Sequence, residues 1–260
     1  MSEVVRVENL GGTRVVTLNR PQARNALTRE VLTLARRALD DASSALDVRC
    51  VVLCGADGHF CSGADLRQNL MDDPEMMDHL EVYMDAFHGL VKSVVRCDKP
   101  TIAMMDGGAV GFGADLAFAC DLRVASTRAY AQEKFVKIGL MPDGGGTFWL
   151  PRLVGTARAM QMILLADKVE AEELHRLGVV AKVVDAAALR DATLAVARQI
   201  EAGPPLALAA AKRSIYASWG SFEEALLRER TEQLKLLRSA DSLEGVAAWM
   251  QKREPNFRGE

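Results

Sequence analysis

The chain has 260 residues, a formal net charge of −3, 49% hydrophobic and 26% charged residues, and only 5% aromatics. This length suits one α/β domain and buries roughly 70–75% of the unfolded surface, so Ala, Leu and Val fill the core and no staple is needed. The near-neutral charge with no Lys/Arg run excludes a nucleic-acid stripe, and no window of 18 uncharged apolar residues exists to span a membrane. Five cysteines (Cys50, Cys54, Cys61, Cys97 and Cys120) with no CxxC pair argue against a disulfide framework or a zinc site. With early charges and no signal-peptide stretch at the start, the expected location is cytoplasmic.

VVRVENLGGTRVVTLNR predicts two strands around a Gly-Gly turn. Pro21 to Asn25 reads as a loop, and Thr28 as the N-cap of the helix REVLTLARRALDDASS. CVVLCG is a buried strand, followed by the small-residue loop GADGHFCSGADL. A helical pattern runs from Pro74 to Cys97. Lys99-Pro100 breaks it, and TIAMMDG is the next strand. GGAVGFG reads as a glycine-rich turn, with a helix at ADLAFACD and a strand at LRVAS. After YAQEKFVKIGLMPDGGGTFWLPRLVG come the helix TARAMQMILLADK and then a helix, glycine stop and strand over AEELHRLGVVAKVV. From about Asp185 to Met250 the pattern is helical, interrupted at Gly203-Pro204-Pro205. Strands alternating with helices imply right-handed crossovers and a largely parallel core. The helical last quarter carries Leu226, Leu227, Leu234, Leu237 and Trp249, a layer able to meet a neighbouring subunit.

Two loops have the composition to hold an anion: Cys61-Ser62-Gly63-Ala64-Asp65-Leu66, and Gly107 to Gly113 leading into a helix. Small residues let a ligand reach backbone N–H groups, and a helix start offers unpaired donors at its positive end. Two such donors on one oxygen make an oxyanion hole. Either loop is also readable as a tight packing turn. Neither matches a dinucleotide or phosphate-loop motif.

Five stretches in order carry a resemblance: NRPQARNAL (19–27), FCSGADL (60–66), KPTIAMMDGGAVGFGADLAFACDLRVAS (99–126), KIGLMPDGGGTFWLPRLVG (137–155) and AEELHRLGVVAKVV (171–184). Together they resemble the crotonase superfamily of enoyl-CoA hydratases and isomerases over nearly the whole chain. The resemblance implies an α/β fold, a spiral of β-β-α turns over residues 1–195 with a helical oligomerisation region over 196–260. It implies a homotrimer or dimer of trimers. It also implies an acyl-CoA substrate, with coenzyme A part of that substrate and no further cofactor or metal. Carried over by position, the thioester oxygen sits between the backbone N–H groups of Ala64 and Phe112. Phe112 stands where many relatives have glycine, but only its backbone is needed. Arg24, Ser62, Gly63, Asp65, Leu66, Gly111 and Phe135 fall at substrate or CoA positions.

Enolate chemistry needs a base to take a proton and an acid to return it. Hydratases of the family use two glutamates. This chain has Asp115 at the first position and Phe135 at the second, with Glu133 two residues away in an ungapped match. It also has Asp143 where hydratases carry glycine, as dienoyl-CoA isomerases and the epoxide-ring isomerases of phenylacetyl-CoA breakdown do. The closing segment RSADSLEGVAAWMQKREPNFRGE resembles the latter too. The expectation is isomerisation, with Asp143 as main acid/base and Asp115 assisting or orienting. The bland alternatives are a turn aspartate at 143 and helix-dipole stabilisation at 115. The rival functions are hydration of a 2-enoyl-CoA in fatty-acid degradation and acyl-CoA binding without catalysis. His59 reads as a solvated loop residue, His79, His88 and His175 as surface or half-buried helix residues. Met76, Met77 and Met84 read as core, or as the lining of an adaptable acyl pocket.

Overall fold

A computed structural model describes residues 3–68 and 79–260. Six strands form the main sheet in the order β1-β2-β3-β4-β6-β9. These are β1 (Val5–Leu10), β2 (Thr13–Leu18), β3 (Cys50–Gly55), β4 (Thr101–Met105), β6 (Leu122–Ser126) and β9 (Lys182–Val184). β1 and β2 pair antiparallel around Gly11, whose φ of +60° suits glycine, and every other pairing in this sheet is parallel. A second sheet joins β5 (Gly108–Val110), β7 (Tyr130–Gln132) and β8 (Val169–Glu170) in the order β5-β7-β8. The stretch expected to be one glycine-rich turn therefore contains a strand. Gly108–Val110 pairs in parallel with β7, and the turn itself is confined to its flanks at Gly107 and Gly111.

Alternation along the strands builds two cores. Val16, Leu18, Val51, Leu53, Ala103 and Met105 face the helices α1 (Arg29–Ser44), α2 (Leu80–Arg96) and α3 (Phe112–Ala119). Val15, Val52, Ile102 and Val124 face α7 (Leu189–Glu201) through Leu189 and Ala197. Being covered on both faces explains why CVVLCG reads as an unbroken apolar run. Thr28 caps α1, its Oγ1 accepting from Val31 N at 3.4 Å, and Val31, Leu32, Ala35, Ala38, Leu39 and Ala42 form the buried stripe. α3 is buried at every residue, so its amino end is carried on the most enclosed element of the molecule. α4 (Gly146–Val154), α5 (Thr156–Leu165) and α6 (Ala171–Arg176) complete the spiral.

The chain ends in α8 (Pro205–Tyr216), α9 (Phe222–Leu236) and α10 (Ala240–Gln251). The expected division at residue 195 falls within α7, which packs on the main sheet. α9 buries no residue, and Phe222, Leu227 and Trp249 stand 72%, 63% and 82% exposed, an uncovered apolar face. No helix of the described residues is long and apolar enough to cross a membrane.

Asp121 ties α8 to the sheet. Its carboxylate accepts from Thr101 N (2.7 Å), Thr101 Oγ1 (2.9 Å) and Tyr216 OH (2.7 Å), and pairs with the buried Lys212 at 2.8 Å. Lys212 also donates to the carbonyls of Val94 and Lys99, which adds the end of α2 to the junction. Removing the carboxylate strands a buried ammonium. Asp121→Ala is expected to cost about 3–5 kcal/mol in urea unfolding, against about 1 kcal/mol for Tyr216→Phe. An Asp121→Ala loss no larger than that of Tyr216→Phe would contradict this role.

Candidate active site

The 61–65 loop is stitched into the fold on both sides. Leu27 N donates to Gly63 O at 2.8 Å and Asp65 N to Leu27 O at 3.0 Å, while Cys61 N bonds Gly108 O and Val110 N bonds Cys61 O. In a parallel bridge the residue between the two bonded positions turns its own N–H to the other side. That residue is Ala64, and its amide donates to no group among the described residues. Phe112 opens α3, and its amide is likewise unpaired, as the first donors of a helix are. Gly63 brings the two together. Its φ is +89°, and a Cβ there would lie 2.8 Å from Val110 O and 3.3 Å from Phe112 N. Gly111, at φ +53°, makes the turn into the helix while its own N–H is bound to Gln132 O.

Both loops open onto a cavity of about 540 Å³. Leu80, Tyr83, Met84 and Phe87 line it at helical spacing, one face of α2. Met84 is thus at the cavity, as one of its two readings allowed; Met76 and Met77 lie outside the described residues. The rings of Tyr83 and Phe87 are 4.9 Å apart and tilted, and those of Phe87 and Phe112 are 4.7 Å apart and edge-to-face. Phe135, Ile138 and Leu140 complete the apolar wall. Polar lining comes from Arg24, His59, Ser62, Tyr130, Gln132 and Lys134. Arg24 and Asn25 are consecutive left-handed residues at φ +50° and +57°, held there by Asn25, whose Nδ2 donates to Ala56 O and His59 O.

Of the residues singled out in the sequence, Arg24, Ser62, Gly63, Ala64, Leu66, Gly111, Phe112, Phe135 and Asp143 line this cavity. Asp65 does not. It pairs with Arg20 at 2.8 Å and accepts from Gln68 N, contacts that fix the loop. Asp115 does not line the cavity either. It is buried beneath the loop before α4, with Oδ2 accepting from Gly144 N at 2.8 Å. A Cβ at Gly146 would collide with Asp115 Oδ1 and come within 3.2 Å of Glu133 Oε1, so glycine is what lets the loop close over both carboxyls. Glu133, set aside in the sequence because it is out of register, is thereby part of the acidic group, though behind the cavity wall. His59 lines the cavity, contrary to its reading as a solvated loop residue. His88, also passed over, contacts Asp143. Cys61 is enclosed and its thiol is pushed up to about 12 by burial, which rules it out as a nucleophile at neutral pH.

All three carboxyls sit above the ordinary carboxylate range. Burial is the main cause for Asp115, with backbone N–H groups at Gly144 and Gly146 opposing it and the Asp143 charge adding to it. Burial also raises Glu133, and the neighbouring Asp115 raises it further. Burial raises Asp143 as well, and His88 pulls the other way. Asp143 combines a raised pKa with a place on the cavity wall, the pairing an acid/base group needs.

The model of the enoyl-CoA hydratase/isomerase family matches residues 8–260. The chain belongs to that family. It is 38% identical over 256 residues to a protein of Rhodobacter capsulatus named probable enoyl-CoA hydratase, covering 98% of each chain. It is 36% identical over 250 residues to the 1,2-epoxyphenylacetyl-CoA isomerase of Escherichia coli, covering 95% of each. The solved enoyl-CoA hydratase of Bacillus anthracis superposes with a TM-score of 0.94 at 28% identity, over 99% of this chain and all of the other. The crotonase-type spiral expected from the five stretches is therefore the fold of this enoyl-CoA hydratase/isomerase family member.

The raised carboxyls carry a stability signature. A native acid that holds its proton longer than the unfolded chain gives its full stabilising contribution below the ordinary value of about 4.3. That contribution falls as pH climbs toward the native value, because there the native state binds the extra proton. Glu133→Gln removes one such group. Its melting temperature relative to the unsubstituted protein should rise steadily from pH 5 to pH 8, by up to about 1.4 kcal/mol of stability per pH unit. A difference that is flat or falls with pH would contradict the buried, protonated state of Glu133.

Proposed function

We propose that the chain isomerises an acyl-CoA thioester, moving a double bond or rearranging a ring on the acyl group through an enolate. Membership of the family makes it an enoyl-CoA isomerase or hydratase, and one observation favours the first. Of three clustered carboxyls, Asp143 alone lines the cavity, while Phe135, which the sequence resemblance matches to the second glutamate of the family's hydratases, is an apolar part of its wall. Hydration needs a water held and activated by carboxylates that face it. Isomerisation needs a single group that takes a proton from one carbon and returns it to another.

In this reading the thioester carbonyl enters between the amides of Ala64 and Phe112, which carry the negative charge as the enolate forms. Asp143 removes and redelivers the proton, and Asp115 orients the loop that bears it. Arg24 and the 62–66 loop receive the nucleotide portion of coenzyme A, with no cofactor beyond the CoA of the substrate. The exposed apolar residues of α9 and α10 then become the contacts of a homotrimer or a dimer of trimers. Hydration remains the rival reading, since a Rhodobacter relative carries the name of a hydratase.

The two separate in paired assays on the purified chain. Hydration of crotonyl-CoA, followed by loss of the conjugated thioester absorbance, should be slow. Isomerisation of a 3-enoyl-CoA, followed by its gain, should be fast. Asp143→Asn should lower the isomerisation kcat by about 10²–10⁴-fold. Hydration outpacing isomerisation would overturn the assignment.

A further inference from the structure

The peptide unit joining Asp143 to Gly144 is gripped at both of its polar ends. Its carbonyl lies 3.0 Å from His88 Nε2, and its N–H donates to Asp115 Oδ2 at 2.8 Å. A carbonyl oxygen can only accept, so Nε2 bears the hydrogen in this contact. The C=O and N–H of a trans peptide point to opposite sides. The grips therefore come from opposite directions, α2 reaching in through His88 and α3 through Asp115. His88 is one turn beyond Met84 and next to Phe87 on the face of α2 that forms the cavity wall, but it does not itself line the cavity.

This peptide plane is joined directly to the Asp143 Cα, so holding it restrains the main chain from which the carboxylate is aimed. The rest of the segment is held from the Asp115 side and by the start of α4, which leaves His88 as the grip on the opposite face. Three glycines follow Asp143, Gly145 is left-handed at φ +102°, and no side chain caps α4. Glycines make a segment mobile, and misaiming an acid/base group by about 1 Å is enough to cost about 100-fold in rate.

We propose that His88 is a positioning residue for the reaction: with Asp115 it clamps the Asp143–Gly144 peptide and so aims the Asp143 carboxylate into the cavity. This inference rests on the reading of Asp143 as the acid/base. It assigns His88 no proton transfer and no contact with substrate.

The test compares His88→Gln, which keeps a side-chain N–H able to reach the carbonyl, with His88→Phe and His88→Leu, which remove the donor in two shapes. All are assayed for isomerisation beside Asp143→Asn, with thermal melts to select folded variants. The donor-less variants should lose about 10–100-fold in kcat with KM changed less than about twofold, because binding is untouched and aim is lost. His88→Gln should return to within about threefold of the original kcat. If folded His88→Phe or His88→Leu keeps full kcat, or if His88→Gln is as slow as they are, the clamp is refuted. If Asp143→Asn keeps full kcat, the acid/base reading falls first and takes the clamp with it. An inactive Asp143→Asn beside fully active donor-less variants removes the clamp alone.

Discussion

Two main-chain amides, at Ala64 and Phe112, have no partner among the described residues and stand where the two loops meet the cavity. A fold that keeps both at one cavity holds them by force of surrounding structure. Here the force is visible. The 61–65 loop is bonded to Leu27 on one side and to the β5 segment on the other, which leaves Ala64 N facing inward. Phe112 N starts the most deeply buried helix in the molecule. Gly63 permits the close approach that places them together, and no other residue would fit beside Val110 O.

The same economy shapes the acidic side of the cavity. Three carboxyls are packed around the Gly144–Gly146 turn, yet they are not equivalent. Burial and mutual repulsion favour protons on Asp115 and Glu133 behind the wall, while Asp143 faces the cavity from a glycine-rich segment. Asp115 and His88 contact the two ends of the Asp143–Gly144 peptide, and the Asp143 side chain lines the cavity. Phe135 closes the wall with an apolar ring.

Much of this was legible in the sequence because it is written in local patterns. The strand alternation of β2, the unbroken apolar run of β3, Thr28 as a cap and the Gly203-Pro204-Pro205 break each have a short-range cause. Gly63 and Gly111 stood out as small residues of loops that let a ligand reach the backbone, and both have a positive φ in the structure. What escaped depends on contacts between distant segments. β5 looked like a turn because Gly108-Ala109-Val110 is too short, and too closely flanked by glycines, to read as a strand until β7 lies beside it. Asp65 looked like a ligand because its partner Arg20 is 45 positions away. Glu133 was out of register with the family pattern, and only the closure of Gly146 over it reveals its place. His88 left one faint trace, a polar residue on the otherwise apolar face of α2 that carries Met84 and Phe87.

The central claim is that the Ala64 and Phe112 amides polarise a bound thioester carbonyl. Vibrational difference spectra of butyryl-CoA, carbon-13-labelled at the thioester carbonyl and bound to the protein, test it without turnover. The account predicts a carbonyl stretch shifted to lower frequency and narrowed relative to free butyryl-CoA, as two fixed donors would impose. A bound carbonyl with the frequency and width it has in water would contradict it.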